Sequence, residues 1–164
     1  MSDDRQQAFA NPARVTTTGE REVTIEREFA APRERVFAAF VDPEQIAQWW
    51  GRRESTTIVD KMEARDGGEW RFVERNPDRS ENAFRGSYRE VKAPERIAYT
   101  FEWEGMPGYV CLEEVDFEVV GDRTRIVTTT TFFARDERDS MLESGMEIGL
   151  NESYEMLDEL LASD

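Results

Sequence analysis

The segment from Glu22 to Gly51 constrains the fold of this chain more than any other. Its first third alternates apolar and polar residues, which is the period of a half-buried strand. Pro32 and Pro43 each stand where a helix would begin, and the second is preceded by an aspartate that can cap the helix. Two adjacent tryptophans, Trp49 and Trp50, close the segment. It therefore predicts one strand followed by two short helices.

The remainder of the chain alternates strand-like stretches with turn signals and finishes on an amphipathic helix. Gly121-Asp122, for example, predicts a tight hairpin turn. Residues 136–162 predict one continuous helix of roughly 40 Å, at 1.5 Å per residue. Runs of strands with segregated helices indicate an α+β fold. With the first strand, a seven-stranded, mainly antiparallel sheet is expected, its later strands lying at 56–60, 69–74, 83–91, 96–104, 109–120 and 124–133.

The order of residues in the first segment resembles the activator of heat-shock-protein-90 ATPase homologue 1-like family. That family belongs to the SRPBCC superfamily, with START-related lipid-transfer proteins, birch-pollen allergens and polyketide cyclases. The motif is met by Arg27, Phe29, Ala31, Pro32, Val36, Phe37, Phe40, Asp42, Pro43, Glu44, Ile46, Trp49, Trp50 and Gly51. The resemblance extends from about residue 21 to residue 162. It implies a helix-grip fold, in which a curved sheet wraps around a long C-terminal helix and an apolar ligand lies between them.

Composition excludes several classes of function. The chain has no histidine, which removes Ser-His-Asp and Cys-His nucleophiles and the usual zinc ligands. Its one cysteine, Cys111, can form neither an internal disulfide nor a thiolate metal site. No glycine-rich phosphate loop occurs. We therefore expect no metal and no cofactor, and we favour a non-enzymatic role.

Residues 1–20 are polar and contain no signal-peptide core. We expect them to form a disordered or extended leader to a single domain of residues 21–164 in a cytoplasmic protein. A net charge of −15 argues against nucleic acid and anionic membranes as partners. From residue 135 to residue 164 there are ten acidic and two basic residues. This acidic helix is either a docking face for a basic protein or a solvated helix exterior. A third interpretation is that the acidic surface reflects adaptation to a salty cytoplasm.

Aromatic residues recur at strand spacing, so that each set points to one side of its strand. Together with the tryptophans at 49 and 50 and two residues of the last helix, they would wall a pocket of several hundred Å³, on the order of a typical ligand site. The alternative is that they fill an ordinary core. The expected lining is Trp49, Trp50, Trp70, Phe72, Phe84, Tyr88, Tyr99, Phe101, Trp103, Met146 and Leu150.

A few polar residues fall on the same faces. Arg27 and Arg85 are candidates to anchor a ligand carboxylate, and structural ion pairs are the alternative. Glu113, Tyr88 and Tyr99 are weak candidates for acid–base catalysis. In the final helix, Gly145, Gly149 and Ser153 recur every four residues, which indicates either close packing on the sheet or a gap left for a ligand.

Three functions follow from these features. The first is a binding module for a small apolar or aromatic molecule. The second is an enzyme of the cyclase or aromatase type acting on a hydrophobic substrate. The third is a co-chaperone-like domain that binds a protein through the acidic helix.

Overall fold

One antiparallel sheet frames the structure, a computed structural model that describes residues 9–163. Within that range the sheet has eight strands in the order β1-β2-β8-β7-β6-β5-β4-β3. The strands are β1 Arg14–Thr18, β2 Glu22–Phe29, β3 Thr56–Met62, β4 Glu69–Arg75, β5 Glu81–Lys92, β6 Arg96–Trp103, β7 Val110–Val120 and β8 Arg123–Thr131. The helices are α1 Arg33–Val41, α2 Pro43–Trp49, α3 Arg135–Glu143 and α4 Met146–Ala162. This is the expected α+β helix-grip architecture.

The sheet has one strand more than the sequence predicts. β1 lies within the predicted leader and pairs with β2, with Val15 opposite Ile25. It was missed because it is short, threonine-rich and mostly exposed, so it has no apolar alternation. Residues 1–8 lie outside the described residues, and the division of the chain at residue 21 stays a prediction.

The strand and two helices predicted from Glu22 to Gly51 are confirmed. In β2 every second residue is buried, ending at Phe29. Pro32 is the N-cap of α1, since the helix itself begins at Arg33. Asp42 caps α2: its Oδ1 accepts a hydrogen bond from the Glu44 backbone N–H at 3.0 Å. Pro43 occupies the first turn of that helix, where a missing N–H costs nothing.

The densest part of the core lies under β2, β7 and β8. Three side chains are completely buried there: Phe29 on β2, Val36 on α1 and Leu157 on α4. Fully burying one such side chain contributes about 1.5–3 kcal/mol. Phe37 and Phe117 meet edge to face at 5.1 Å between ring centres. These contacts hold α1 and one end of α4 against the sheet.

The prediction of one continuous final helix over residues 136–162 is wrong, because the structure has two helices there. Gly145 has φ +84°, in the left-handed region, and ends one helix while beginning the next. A residue in the left-handed conformation cannot continue a right-handed helix. Glycine adopts that conformation without a steric penalty, because it has no Cβ. The predicted helix is therefore two helices, of which α3 contacts β2 and α4 contacts α2. Among residues 9–163, no helix combines the length and apolar character needed to cross a membrane.

Candidate functional site

A cavity of about 370 Å³ lies between the inner face of the sheet, the end of α2 and α4. Its wall draws mostly on β4, β5 and β6, and Ile25 of β2, Glu113 of β7 and Thr128 of β8 also line it. Ten of the eleven residues predicted to line a pocket lie in its wall. They are Trp49, Trp50, Trp70, Phe72, Phe84, Tyr88, Tyr99, Phe101, Met146 and Leu150.

Seven rings of the cavity wall, on Trp50, Trp70, Phe72, Phe84, Tyr88, Tyr99 and Phe101, form one connected set. Trp70 lies 4.8 Å from Phe72 and 5.9 Å from Phe101 between ring centres. Trp50 meets Phe72 at 5.2 Å and Phe84 at 5.3 Å, edge to face. Edge-to-face and tilted contacts suit the ring quadrupoles and add to the burial energy. The wall therefore keeps its shape around the open space.

Gly86 makes room for the largest ring in this wall. It pairs with Trp70 across β4 and β5. A Cβ at Gly86 would lie 2.7 Å from Trp70 Nε1 and 1.8 Å from the Thr100 carbonyl oxygen. Only glycine lets the indole lie across this strand. Trp70 Nε1 is buried and has no hydrogen-bond partner among the described residues.

The two tryptophans at the end of α2 have different roles. Trp49 is 3% exposed, and its Nε1 donates to the Ala39 carbonyl oxygen at 2.9 Å. Ser153 Oγ in turn donates to the Trp49 carbonyl oxygen at 2.8 Å, which ties α2 to α4. Trp50 is half-buried and presents its ring to the cavity. Trp49 thus fixes the helix that places Trp50.

Glu113 is a carboxyl group in the cavity wall without a cationic partner. Its Oε2 accepts from the Tyr99 hydroxyl at 2.6 Å, and its Oε1 accepts from Thr130 Oγ1 at 3.4 Å. No arginine or lysine in the described part of the chain forms an ion pair with it. Burial raises the pKa of Glu113, against the two hydrogen bonds, which lower it. Burial, with the nearby Glu113 charge, raises the pKa of Tyr99 well above its usual value.

Tyr88 carries the free hydroxyl of the cavity. Its side chain is buried and lines the space, and the hydroxyl forms no hydrogen bond within residues 9–163. Burial alone raises the pKa of Tyr88, so it stays protonated and able to donate. Tyr154, also in the wall, hydrogen-bonds Thr128. The catalytic candidates Glu113, Tyr88 and Tyr99 therefore do come together at one site.

Gly51, Arg52 and Glu74 also line the cavity, and the sequence analysis did not predict them as lining residues. Glu74 Oε2 accepts from the Arg52 backbone N–H at 3.1 Å. Gly51 has φ +101°, and a Cβ there would lie 2.9 Å from Glu74 Oε2. Alternation along β4 was a usable signal, because Trp70, Phe72 and Glu74 are each two residues apart.

α4 covers the cavity with one gap in its surface. Met146, Gly149 and Leu150 line the space, followed by Ser153 and Tyr154. A Cβ at Gly149 would meet nothing nearer than Arg52 Cγ at 3.9 Å. The ligand-gap interpretation of the glycines therefore fits at Gly149, whereas Gly145 serves to break the helix.

Three predicted site residues lie outside the cavity. Trp103 sits at the end of β6, is 39% exposed and folds its ring over Gly105. Arg27 is 4% exposed and holds Asp158 of α4 through two hydrogen bonds of 2.9 and 2.6 Å. Arg85 lies on the outer face of the sheet, where it pairs with Glu102 at 3.0 Å. Both arginines thus form ion pairs within the protein and do not reach the cavity.

Comparison with known proteins identifies a family and several solved structures to which this chain is similar. The sequence profile of AHSA1, described as Activator of Hsp90 ATPase homolog 1-like protein, matches residues 30–162. No curated protein matches the chain significantly. A solution structure of a protein from Arthrobacter aurescens is 26% identical, with 92% of each chain covered and a TM-score of 0.84.

Two crystal structures extend the comparison. A protein from Rhodobacter sphaeroides is 22% identical, covers 93% of this chain and 99% of its own, and has a TM-score of 0.88, which shows the fold. An AHSA1 protein from Silicibacter pomeroyi is 25% identical, with 86% and 97% covered and a TM-score of 0.71. The profile covers well over half of the chain, and the sheet, the helices and the paired tryptophans all stand where the resemblance implied. The chain belongs to the Activator of Hsp90 ATPase homolog 1-like family of the SRPBCC superfamily.

Proposed function

We propose that this protein binds a small apolar or aromatic molecule between its sheet and α4. The observation that carries the proposal is the open cavity of about 370 Å³ walled by connected aromatic rings. A core built only for stability would close such a space, because protein interiors pack nearly without voids. The size and the mostly apolar wall suit a small-molecule site. The fold commonly binds hydrophobic ligands, which adds support.

The adaptable side chains of α4 support the same function. Met146 and Leu150 face the cavity, and Met repacks easily around different shapes. Gly149 leaves open space between them. We place the function in the cytoplasm, since a buried free thiol at Cys111 suits a reducing compartment.

Filling the gap at Gly149 tests the proposal. Gly149→Leu places an apolar side chain in the cavity, and Gly149→Ala adds a single methyl group as the matched control. The probe is N-phenyl-1-naphthylamine, which fluoresces when it enters an apolar site. We expect saturable binding to the wild type and Gly149→Ala, and little binding to Gly149→Leu. Native mass spectrometry of protein purified from its own organism would show whether a ligand is retained. Equal binding by all three proteins would place the probe elsewhere and contradict the proposal.

The Glu113–Tyr99 pair favours an enzyme as the second candidate. A buried carboxyl with a raised pKa in a mostly apolar cavity can donate a proton to a substrate carbonyl. Such a group suits the cyclase or aromatase chemistry found on this fold. Glu113→Gln, Tyr88→Phe and Tyr99→Phe test it on a poly-β-ketone substrate. Turnover that none of the three substitutions slows would eliminate these residues as catalysts.

A protein partner at the acidic helix has less support. Glu152 Oε1 accepts from the Arg53 backbone N–H at 3.1 Å, and Glu159 pairs with the Arg53 guanidinium at 2.5 Å. Part of the acidic face is thereby occupied within the protein. The family name refers to activation of the Hsp90 ATPase, so the direct test is that ATPase rate with and without this chain. An unchanged rate would count against a co-chaperone role.

A further inference from the structure

We infer that the cavity selects uncharged ligands and rejects anionic ones, with Glu113 as a residue that strengthens this preference. The inference rests on the proposed binding function and adds the chemical class of the ligand. It follows from the charges that face the cavity and from the one hydroxyl group left without a partner.

Among the described residues that line the cavity, three are charged. Glu113 lies in the wall, where its oxygens accept hydrogen bonds from Tyr99 and Thr130. Glu74 also lines the cavity and is 7% exposed. Arg52 supplies the single positive charge, and its half-exposed guanidinium pairs with Glu54 at 3.3 Å. No cation therefore reaches the interior of the cavity from the described residues.

An anionic ligand meets an unfavourable environment in either protonation state of Glu113. An ionised Glu113 repels it across a wall of low dielectric. A protonated Glu113 leaves the ligand charge without a counter-charge, and removing a lone anion from water is costly. The arginine that might have supplied the counter-charge, Arg27, is held by Asp158 outside the cavity.

A cationic ligand is also disfavoured. Both oxygens of Glu113 already accept hydrogen bonds from fixed hydroxyl groups. The cation would have to shed its water for a carboxyl group that is partly satisfied, and desolvation of a buried pair commonly offsets its attraction.

Tyr88 provides the polar contact that an uncharged ligand needs. Its hydroxyl lines the cavity, lies on a side chain only 5% exposed and has no partner among residues 9–163. A ligand oxygen that accepts from this hydroxyl would keep a hydrogen bond when it leaves water for the mostly apolar cavity. The ligand class is therefore an uncharged aromatic or alicyclic molecule that carries a carbonyl or ether oxygen.

A pair of nearly isosteric ligands tests the inference. 2-Acetylnaphthalene and 2-naphthoate share a ring system and a carbonyl group. The first carries a methyl group where the second carries a negatively charged oxygen. Their dissociation constants are measured by calorimetry at pH 8 on the wild type, Glu113→Gln and Glu114→Gln. Glu114 is the matched control, because it neighbours Glu113 on β7 but pairs with Arg96 on the outer face. We expect the wild type and Glu114→Gln to bind the ketone about tenfold or more tightly than the carboxylate. Glu113→Gln should keep a smaller preference, because the neutral amide removes the repulsion of an ionised carboxylate but supplies no counter-charge.

Each outcome decides between the alternatives. Equal affinity of the two ligands for the wild type overturns the inference while leaving the binding function intact. A preference of undiminished size in Glu113→Gln overturns the role of that residue. Tighter binding of 2-naphthylmethylammonium than of the ketone overturns the preference for uncharged ligands. Failure of all these ligands to bind the wild type would defeat the proposed function itself.

A second comparison does not depend on the folding of Glu113→Gln. 2-Ethylnaphthalene lacks the ketone oxygen of 2-acetylnaphthalene. We expect Tyr88→Phe to lower the affinity for the ketone by several-fold, roughly the value of one neutral hydrogen bond, and to leave the affinity for 2-ethylnaphthalene unchanged. An equal effect on both ligands would show that Tyr88 acts only by packing.

Discussion

Two charged residues on the inner face of the sheet illustrate how partners decide the role of a side chain. Arg27 on β2 is buried against Phe29 and paired with Asp158, so its charge is neutralised within the protein. Glu113 on β7 has only hydroxyl partners and faces the cavity. Alternation alone places both on the same face. Their partners come from β6, β8 and α4, which no local pattern reveals.

The Arg27–Asp158 pair should be asymmetric when one partner is removed. Asp158→Ala leaves Arg27, whose side chain is 1% exposed, without a counter-charge, whereas Arg27→Met leaves Asp158, which is 41% exposed, in contact with water. We expect Asp158→Ala to cost about 3 kcal/mol in free energy of unfolding and Arg27→Met roughly half of that. Urea denaturation measures both. Neither variant should change the affinity for N-phenyl-1-naphthylamine, and a loss of binding in stably folded Arg27→Met would restore Arg27 as a ligand anchor.

The raised pKa of Glu113 should appear as a pH-dependent loss of stability. In the unfolded chain this carboxyl ionises near its ordinary value of 4.5, whereas burial holds its folded-state pKa higher. Between these two values the folded state binds more protons, so stability falls as the pH rises through that window and is then constant. Each unit of pKa elevation corresponds to about 1.4 kcal/mol.

Glu113→Gln removes this loss. We therefore expect the variant to gain free energy of unfolding relative to the wild type as the pH rises from 4 upward, with the difference levelling off above the folded-state pKa. The difference between the two proteins cancels the contributions of the other carboxyl groups, among them Glu102, Glu104 and Glu159, whose pKa values are lowered and act in the opposite direction. A difference that does not change with pH would show that Glu113 is already solvated in the fold.

At the scale of the elements, the break between α3 and α4 decides what covers the cavity. α4 begins at Met146, so its first two turns present Met146, Gly149 and Leu150 to the open space. The residues of α3 run in a different direction from the break, because Gly145 has a left-handed backbone. Two glycines four positions apart thus serve opposite purposes.

The same substitution at these two glycines should have opposite effects. Gly145→Ala forces a Cβ into a left-handed conformation and should cost about 1 kcal/mol. Gly149→Ala keeps a helical conformation with room for the methyl group and should gain up to about 1 kcal/mol from helix propensity. Thermal and urea unfolding of the two variants, each the control for the other, measure the signs. Equal signs would mean that the helix runs through residue 145.

Most elements and most of the cavity wall could be predicted from local patterns. Alternation found the residues of β4, β5 and β6 that face the cavity, and the two prolines with Asp42 found α1 and α2. β1 was missed because its five residues, four of them exposed, carry no apolar period, although they gain a partner strand. The break at Gly145 was missed because a glycine in a helical pattern is compatible with both a helix and its end. Trp103 was misplaced because a strand terminus leaves its last ring free to turn outward.

At the scale of the whole molecule, the excess of negative charge opposes the compact state. The chain has 36 acidic and 21 basic residues. Many of them form surface ion pairs, such as Arg71 with Glu104 at 2.7 Å. Exposed pairs contribute little each, whereas repulsion among the unpaired carboxylates acts over the whole surface.

Salt should therefore stabilise this protein. We expect its melting temperature to rise by several degrees, on the order of 5 °C, as potassium chloride increases from 0.05 to 0.5 M, because screening weakens the net repulsion. The chloride salt is preferable to sulfate, which strengthens apolar burial by itself. A falling melting temperature would mean that the ion pairs outweigh the repulsion.

The contacts around β1 connect the two ends of the described chain. The Ala13 backbone N–H donates to Asn151 Oδ1 at 2.7 Å across 138 positions, and Arg27 reaches Asp158 across 131. A nascent chain cannot form either contact until α4 has left the ribosome. Contacts of such long range also slow folding, because nearly the whole chain must be ordered before they form. The cavity is thus completed last in biosynthesis, and fragments that lack α4 would expose its aromatic wall to water.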